Sequence, residues 1–212
     1  MASMLVIGIG RFGRHLATRL CQLGNEVMVV DRDEAAVSSV APLAANALIG
    51  DCMDEEVVRS LGVNNFDVCF VCISDNFQSS LEITSLLKEA GAKMVVSKTD
   101  RELHAKFLTK IGADLVIHPE RDMAWRTAMR FSTVGAFDYI ELSPDYAVME
   151  MAPPKAWVGH TLSDLQVRTR YQVNVIGIKE GSHVRPVVDA GHRFVEGEHI
   201  LVAGSQEAIR RL

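Results

Sequence analysis

The stretch from Met4 to Asp31 constrains the fold more than any other part of the chain. It reads Met-Leu-Val-Ile-Gly-Ile-Gly-Arg-Phe-Gly-Arg-His-Leu-Ala-Thr-Arg-Leu-Cys-Gln-Leu-Gly-Asn-Glu-Val-Met-Val-Val-Asp. An apolar strand enters the turn Gly8-x-Gly10-x-x-Gly13, a helix follows and is closed by Gly24, and a second strand ends on an acid. The glycine spacing gains its meaning from that order of elements: strand, loop, helix, strand, carboxylate. Gly8 permits the tight turn, Gly10 lets the backbone approach a pyrophosphate, and Gly13 lets helix and strand pack closely. Asp31, eighteen positions beyond Gly13, stands where a carboxylate accepts from ribose hydroxyls. The stretch therefore predicts a bound adenine nucleotide.

Other residues refine this expectation. Arg11 opens the first helix, where the dipole disfavours a cation by about 0.3–1 kcal/mol. An anion in front of it would reverse that cost, and a guanidinium grips phosphate oxygens in a fork that lysine cannot reproduce. The alternative is a solvated surface arginine, as expected for Arg14. Phe12 completes the loop between Arg11 and Gly13. Asp31 favours free ribose hydroxyls and repels a 2′-phosphate, so Arg32 is expected along the adenine face or in solvent. Asp51, beside Cys52 and after the third strand, either accepts from the adenine amino group or caps the next helix. Ser74, Asp75 and Asn76 end the fourth strand at the same crevice, with Asn76 also a candidate cap. Glu120 and Asp122 suit a helix start. Alternatively they hold a divalent cation shared with phosphates, since hard cations take oxygen ligands.

The chain has 212 residues, enough for two small domains with separate cores. Apolar strands and amphipathic helices alternate as far as about Phe131, which predicts an α/β, Rossmann-type doubly wound parallel sheet. Strands are expected at 4–7, 26–30, 46–49, 68–73, 93–97 and 115–117. Helices are expected at 11–23, 33–40, 54–61, 77–90, 100–110 and 120–131. The pattern then changes to a second, smaller α+β domain. It has strands at 138–142 and 146–151, a helix at 161–167 capped by Thr161, a hairpin-like pair near 173–179 and 183–188, a strand at 199–203 and a helix from Ser205. The boundary is expected near Thr133–Phe137.

Several function classes are disfavoured. Net charge is −5 and no basic run occurs, so a nucleic-acid partner is not expected. No apolar run approaches the ~20 residues of a membrane helix. The four cysteines do not form a secreted framework, and Cys69-x-x-Cys72 lies within the apolar run Val68–Ile73, so buried thiols in a reducing cytosol are expected. The seven histidines are scattered, and neither a catalytic serine elbow nor a Walker-type loop occurs. Catalysis is not expected.

Gly8-Ile-Gly-Arg-Phe-Gly13, Gly50-Asp51, Lys110-Ile-Gly-Ala-Asp114, His118-Pro-Glu-Arg-Asp-Met123, Tyr139-Ile-Glu-Leu142 and Val167-Arg-Thr-Arg-Tyr171 together resemble the RCK family of potassium-transport regulators. The resemblance is greatest to its KtrA-type and TrkA-type members and covers essentially the whole chain. It implies an N-terminal nucleotide domain over 1–135 and a C-terminal ligand domain over 138–212. Arg11 would meet the γ-phosphate of ATP, often across a dimer interface. Asp31 would take the ribose, Asp51 the adenine side, and Glu120 would lie near a divalent cation such as Mg or Ca. Homodimers would build an octameric ring, held in different shapes by ATP and ADP. The ring would sit under a membrane potassium-translocating subunit of KtrB or TrkH type, at the inner face of the membrane. Arg168, Asn174 and Pro186 fall where KtrA-like members resemble a cyclic di-AMP site. Only Met1-Ala2-Ser3 precede the first strand, where family members carry a polar lead-in, so that segment's contact with a channel is expected to be trimmed or different. The competing readings are an NAD(H)-binding oxidoreductase and an NADH-sensing regulator.

Overall fold

The computed structural model describes residues 1–73, 75–132, 136–143, 145–181, 183–186 and 188–212. The chain forms two compact units, Met1–Arg121 and Asp122–Leu212.

The first unit alternates strand and helix: β1 (Ser3–Ile7), α1 (Arg11–Gln22), β2 (Glu26–Asp31), α2 (Glu34–Ser38), β3 (Asn46–Ile49) and α3 (Glu55–Ser60). It continues with β4 (Val68–Val71), α4 (Phe77–Glu89), β5 (Val95–Lys98), α5 (Glu102–Lys110) and β6 (Leu115–Ile117). The six strands lie in the order β3-β2-β1-β4-β5-β6, paired in parallel throughout. This is the expected Rossmann-type sheet. Strand order reverses between β1 and β4, and a crevice opens beyond their carboxyl ends.

Both faces of this sheet are covered, which explains the near-continuous apolar strands. Leu5 and Ile7 pack in one core cluster with Cys69 and Val71, whereas Val6 packs in the opposite one with Val27, Val29 and Cys72. A one-residue slip in register would exchange every one of these faces. Cys69 and Cys72 thus point to opposite sides of the sheet, as alternation requires. Burial pushes the thiols of Cys52, Cys69 and Cys72 up to about 12. The fourth strand is two residues shorter than expected: pairing ends at Val71, although Cys72 still donates its N–H to the Ile7 carbonyl at 2.8 Å.

Helix α6 (Pro119–Ser132) begins in the first unit and runs into the second. The units part at Arg121/Asp122, and Thr133, Val134 and Gly135 of the expected boundary lie outside the described residues.

The second unit continues with β7 (Ala136–Ser143), β8 (Tyr146–Met151), α7 (Leu162–Leu165), α8 (Val167–Arg170), β9 (Val173–Glu180), β10 (His183–Arg185), β11 (His199–Ser205) and α9 (Gln206–Arg210). Its strands form an antiparallel sheet in the order β10-β9-β11-β8-β7. Its core is built on Trp157, Tyr139, Phe194 and Ile200.

In the second unit, one helix and one strand depart most from expectation. The helix expected at 161–167 is divided, because Gln166 adopts φ 47 and closes α7 before α8 begins. Thr161 caps α7 as expected, in a reciprocal capping box with Asp164. The strand expected to reach 188 ends at Arg185, since Pro186 has no N–H for the ladder.

Candidate functional site

The glycine loop divides its work by position. Gly8 has φ +90, and a Cβ there would lie 2.8 Å from the Ile73 side chain. A Cβ on Gly13 would lie 1.9 Å from the Gly8 carbonyl oxygen, so α1 can cross the loop this closely only without a side chain. Gly10 differs: a Cβ there would meet nothing within 4 Å. Open space lies in front of Gly10, and the other two glycines hold the loop around it.

Gly10 is also the N-cap of α1 and brings no side chain to it. The first amides of a helix have no intrahelical acceptor. At α2, α3 and α4 the side chains of Asp33, Asp54 and Asn76 accept from such amides. The N-terminus of α1 is left with no such cap, its positive dipole end toward the crevice.

Asp31 faces this loop. One carboxylate oxygen accepts from the Ile9 N–H at 2.5 Å and the other from the Asp33 N–H at 3.0 Å. Both bonds come from backbone, so the carboxylate is fixed in orientation while keeping lone pairs for a ligand. Asp51 accepts from the Met53 N–H at 3.0 Å, closing a local turn. The cap of α3 is Asp54, which accepts from the Glu56 N–H at 2.8 Å. The capping alternative for Asp51 is thereby replaced, and its carboxylate lines the cleft instead. Asn76 does both jobs: it caps α4 through the Ser79 N–H and lines the cleft.

The cleft has a volume of about 350 Å³. Of the predicted residues it brings together Gly8, Gly10, Asp31, Arg32, Asp51, Cys52 and Asn76. Ser74 lies outside the described residues. Arg11, Phe12 and Gly13 do not line it: Arg11 is exposed on the first turn of α1, Phe12 packs against the core beneath α1, and Gly13 is buried. Sequence reading missed Ser79 and Ile83, which α4 adds to the wall. Their helical spacing from Asn76, three and seven residues on, was the available signal.

The lining includes four carboxylates, Asp31, Asp33, Asp51 and Asp75, against one guanidinium, Arg32. That wall suits hydroxyl and amino donors. A phosphate has its natural place at the open end of α1. Cys52 is a nearly inaccessible part of the wall, its thiol raised first by burial and then by the charges of Asp51 and Asp31.

Glu120, the predicted cation residue, pairs with Lys98 at 2.8 Å. The Lys98 hydrogen bond, outweighing partial burial, holds its carboxyl below the usual range. Among the described residues no group of three or more histidines, cysteines or carboxylates is arranged to hold a metal ion.

The second unit has its own cleft of about 400 Å³, lined by Ser163, Gln166, Arg168, Thr169 and Asn174 among others. Arg168 and Asn174 of the expected second-ligand set both line it. Pro186 is exposed after β10 and is not among the lining residues.

Comparison with known proteins matches the TrkA-N domain to residues 4–119 and the TrkA-C domain to residues 147–212. The chain is 40% identical over 206 residues to Ktr system potassium uptake protein C of Bacillus subtilis, covering 97% of this chain and 93% of that protein. It is 34% identical to Ktr system potassium uptake protein A of the same organism, with the same coverage. The GsuK channel bound to NAD superposes with a TM-score of 0.65 at 16% identity, over 98% of this chain and 38% of that one. GsuK bound to ADP superposes over 61% of this chain and 34% of that one, with a TM-score of 0.53 at 16% identity.

Proposed function

The chain belongs to the RCK family of TrkA-N plus TrkA-C proteins, and on that premise we propose that it is a non-enzymatic regulatory subunit of a potassium-uptake system. ATP or ADP bound in the first unit's cleft sets its conformation. The observation that carries this reading is the uncapped N-terminus of α1, opposite a carboxylate fixed by two backbone amides. One end of the cleft is suited to phosphate, the other to ribose and adenine.

The rest of the proposal follows the relatives' role in potassium uptake. Homodimers assemble into an octameric ring against a KtrB-like or TrkH-like membrane subunit, and the protein works from the cytoplasmic side. No described helix is long and apolar enough to cross a membrane. A divalent cation shared with the phosphates lies near Glu120, which keeps its contact with Lys98. The second unit's cleft, with Arg168 and Asn174, takes cyclic di-AMP.

A ligand shifts a conformational equilibrium only by its difference in affinity for the two states. Arg11, exposed beside the phosphate end, supplies that difference by meeting the γ-phosphate from one copy or its neighbour. Arg11→Ala is expected to bind ADP normally and to lose its preference for ATP. Calorimetry with both nucleotides tests this, and unchanged discrimination would sink the assignment.

An NADH-sensing regulator is the second reading, favoured by Asp31 and by the NAD held in the structural neighbour. Extraction of the copurified nucleotide separates the two: ATP or ADP supports the first, and NADH without turnover supports the second.

A further inference from the structure

Lys98 closes β5 and is almost buried, with its side chain 8% exposed. An ammonium in such a place demands compensation, because burial disfavours the charged form. Phe12 and Glu120 contribute to it. The Phe12 ring lies 5.5 Å from Nζ, within cation–π range. The Glu120 carboxylate lies 2.8 Å away. Phe12 belongs to the first turn of α1, next to Arg11, and Glu120 to the first turn of α6. Cys72 lines the cleft within reach of the ammonium's charge, and its Cβ lies 3.2 Å from where a Cβ on Gly13 would stand. Lys98 therefore lies between the loop that opens the cleft and the helix that leaves the unit.

The pair is asymmetric. Glu120 is 64% exposed, so water can solvate its carboxylate if the contact opens, whereas Lys98 depends on its partners. A pair of this kind is weak evidence for stability, since an apolar side chain often serves as well. It is better suited to fixing one arrangement of α1 against α6 while remaining breakable.

We propose that Lys98 is a positioning residue that couples the nucleotide cleft to α6, through Phe12 on one side and Glu120 on the other. Nucleotide at the open end of α1 shifts its first turn, Phe12 carries the shift to the ammonium, and the Lys98–Glu120 contact transmits it to the first turn of α6. This rests on the nucleotide reading of the cleft.

The test is hydrogen exchange across 119–132, with and without ADP, alongside calorimetric ADP affinity. In the wild type, ADP is expected to change exchange in the first turn of α6. Lys98→Met is expected to keep ADP affinity and normal protection of β1 and β2, yet to reduce the α6 response by a factor of about five or more. Lys98→Arg, which keeps the charge, is expected to restore much of it. If Lys98→Met does not fold, Glu120→Gln measured in EDTA breaks the same pair from its exposed end and is expected to give the same loss. An α6 response unchanged in the variants, or absent from a wild type that binds ADP, overturns the coupling alone. A wild type that binds no adenine nucleotide overturns the cleft reading and the coupling together.

Discussion

At the scale of single residues, Gly10 and Gly13 separate function from fold within one motif. A methyl group on Gly13 would overlap the Gly8 carbonyl, and backbone cannot yield as a flexible side chain does. Gly13→Ala is expected to cost about 3 kcal/mol or more, at the upper end of overpacking effects. Gly10→Ala meets no neighbour, so its stability is expected to stay within about 0.5 kcal/mol of the parent. Its methyl group instead occupies the space offered to phosphate, and nucleotide affinity is expected to fall. Denaturant melts and calorimetry on the two variants check the separation, which fails if Gly10→Ala unfolds as easily as Gly13→Ala. The motif's spacing made all three glycines legible, and the neighbours of each divided their roles. Asp51 was legible only as a polar residue at the crevice, because Asp54, three residues on, competes for the same cap. Lys98 carried no signal of its own: a lysine closing an apolar strand normally reaches solvent, and only packing shows that this one does not.

At the scale of elements, the second unit ties three strands together through one carboxylate. Glu150 on β8 accepts from Lys179 on β9 at 2.7 Å and pairs with His199 on β11 at 2.7 Å, with the His199 ring stacked on Phe137. Burial raises its carboxyl, but the hydrogen bonds from Lys179 and His199 outweigh burial and leave it below the usual value. A carboxylate depressed in the folded state gives stability that is in place above its unfolded value of about 4.3 and is lost as pH falls through the folded one. Stability of the second unit is therefore expected to decline more steeply on acidification in the wild type than in Glu150→Gln. At neutral pH the substitution is expected to cost about 1.5–3 kcal/mol, the range for hydrogen bonds to charged groups. Denaturant midpoints followed from neutral to acid pH test both, and parallel curves would refute the argument. Element boundaries failed where backbone chemistry intervened: Gln166 ends α7 through its left-handed conformation, and Pro186 follows the last strand residue of β10.

At the scale of the whole molecule, the chain divides into two compact units with core clusters of their own, so a ligand of one unit is expected to stabilise that unit first. A nucleotide that binds the folded first unit at one hundred times its dissociation constant adds about 2.7 kcal/mol. ATP or ADP is expected to raise the unfolding transition of residues 1–121 and to leave the transition of the second unit in place. Calorimetric scans resolve the two, and a uniform shift of both transitions would contradict independent ligand stabilisation.

The sequence by itself determined the parallel sheet, the alternation of its strands and helices and the glycine loop, because each rests on local rules. Periodicity assigns a strand to its buried faces, and glycine spacing assigns a turn its permitted conformations. The resemblance carried by six short fragments determined the family. Only the tertiary structure decided which carboxylate caps which helix, which predicted residues share the cleft, and that Lys98 is held between Phe12 and Glu120. Those outcomes are contacts between residues far apart in the chain. Their energies depend on burial and direction, which no local pattern records.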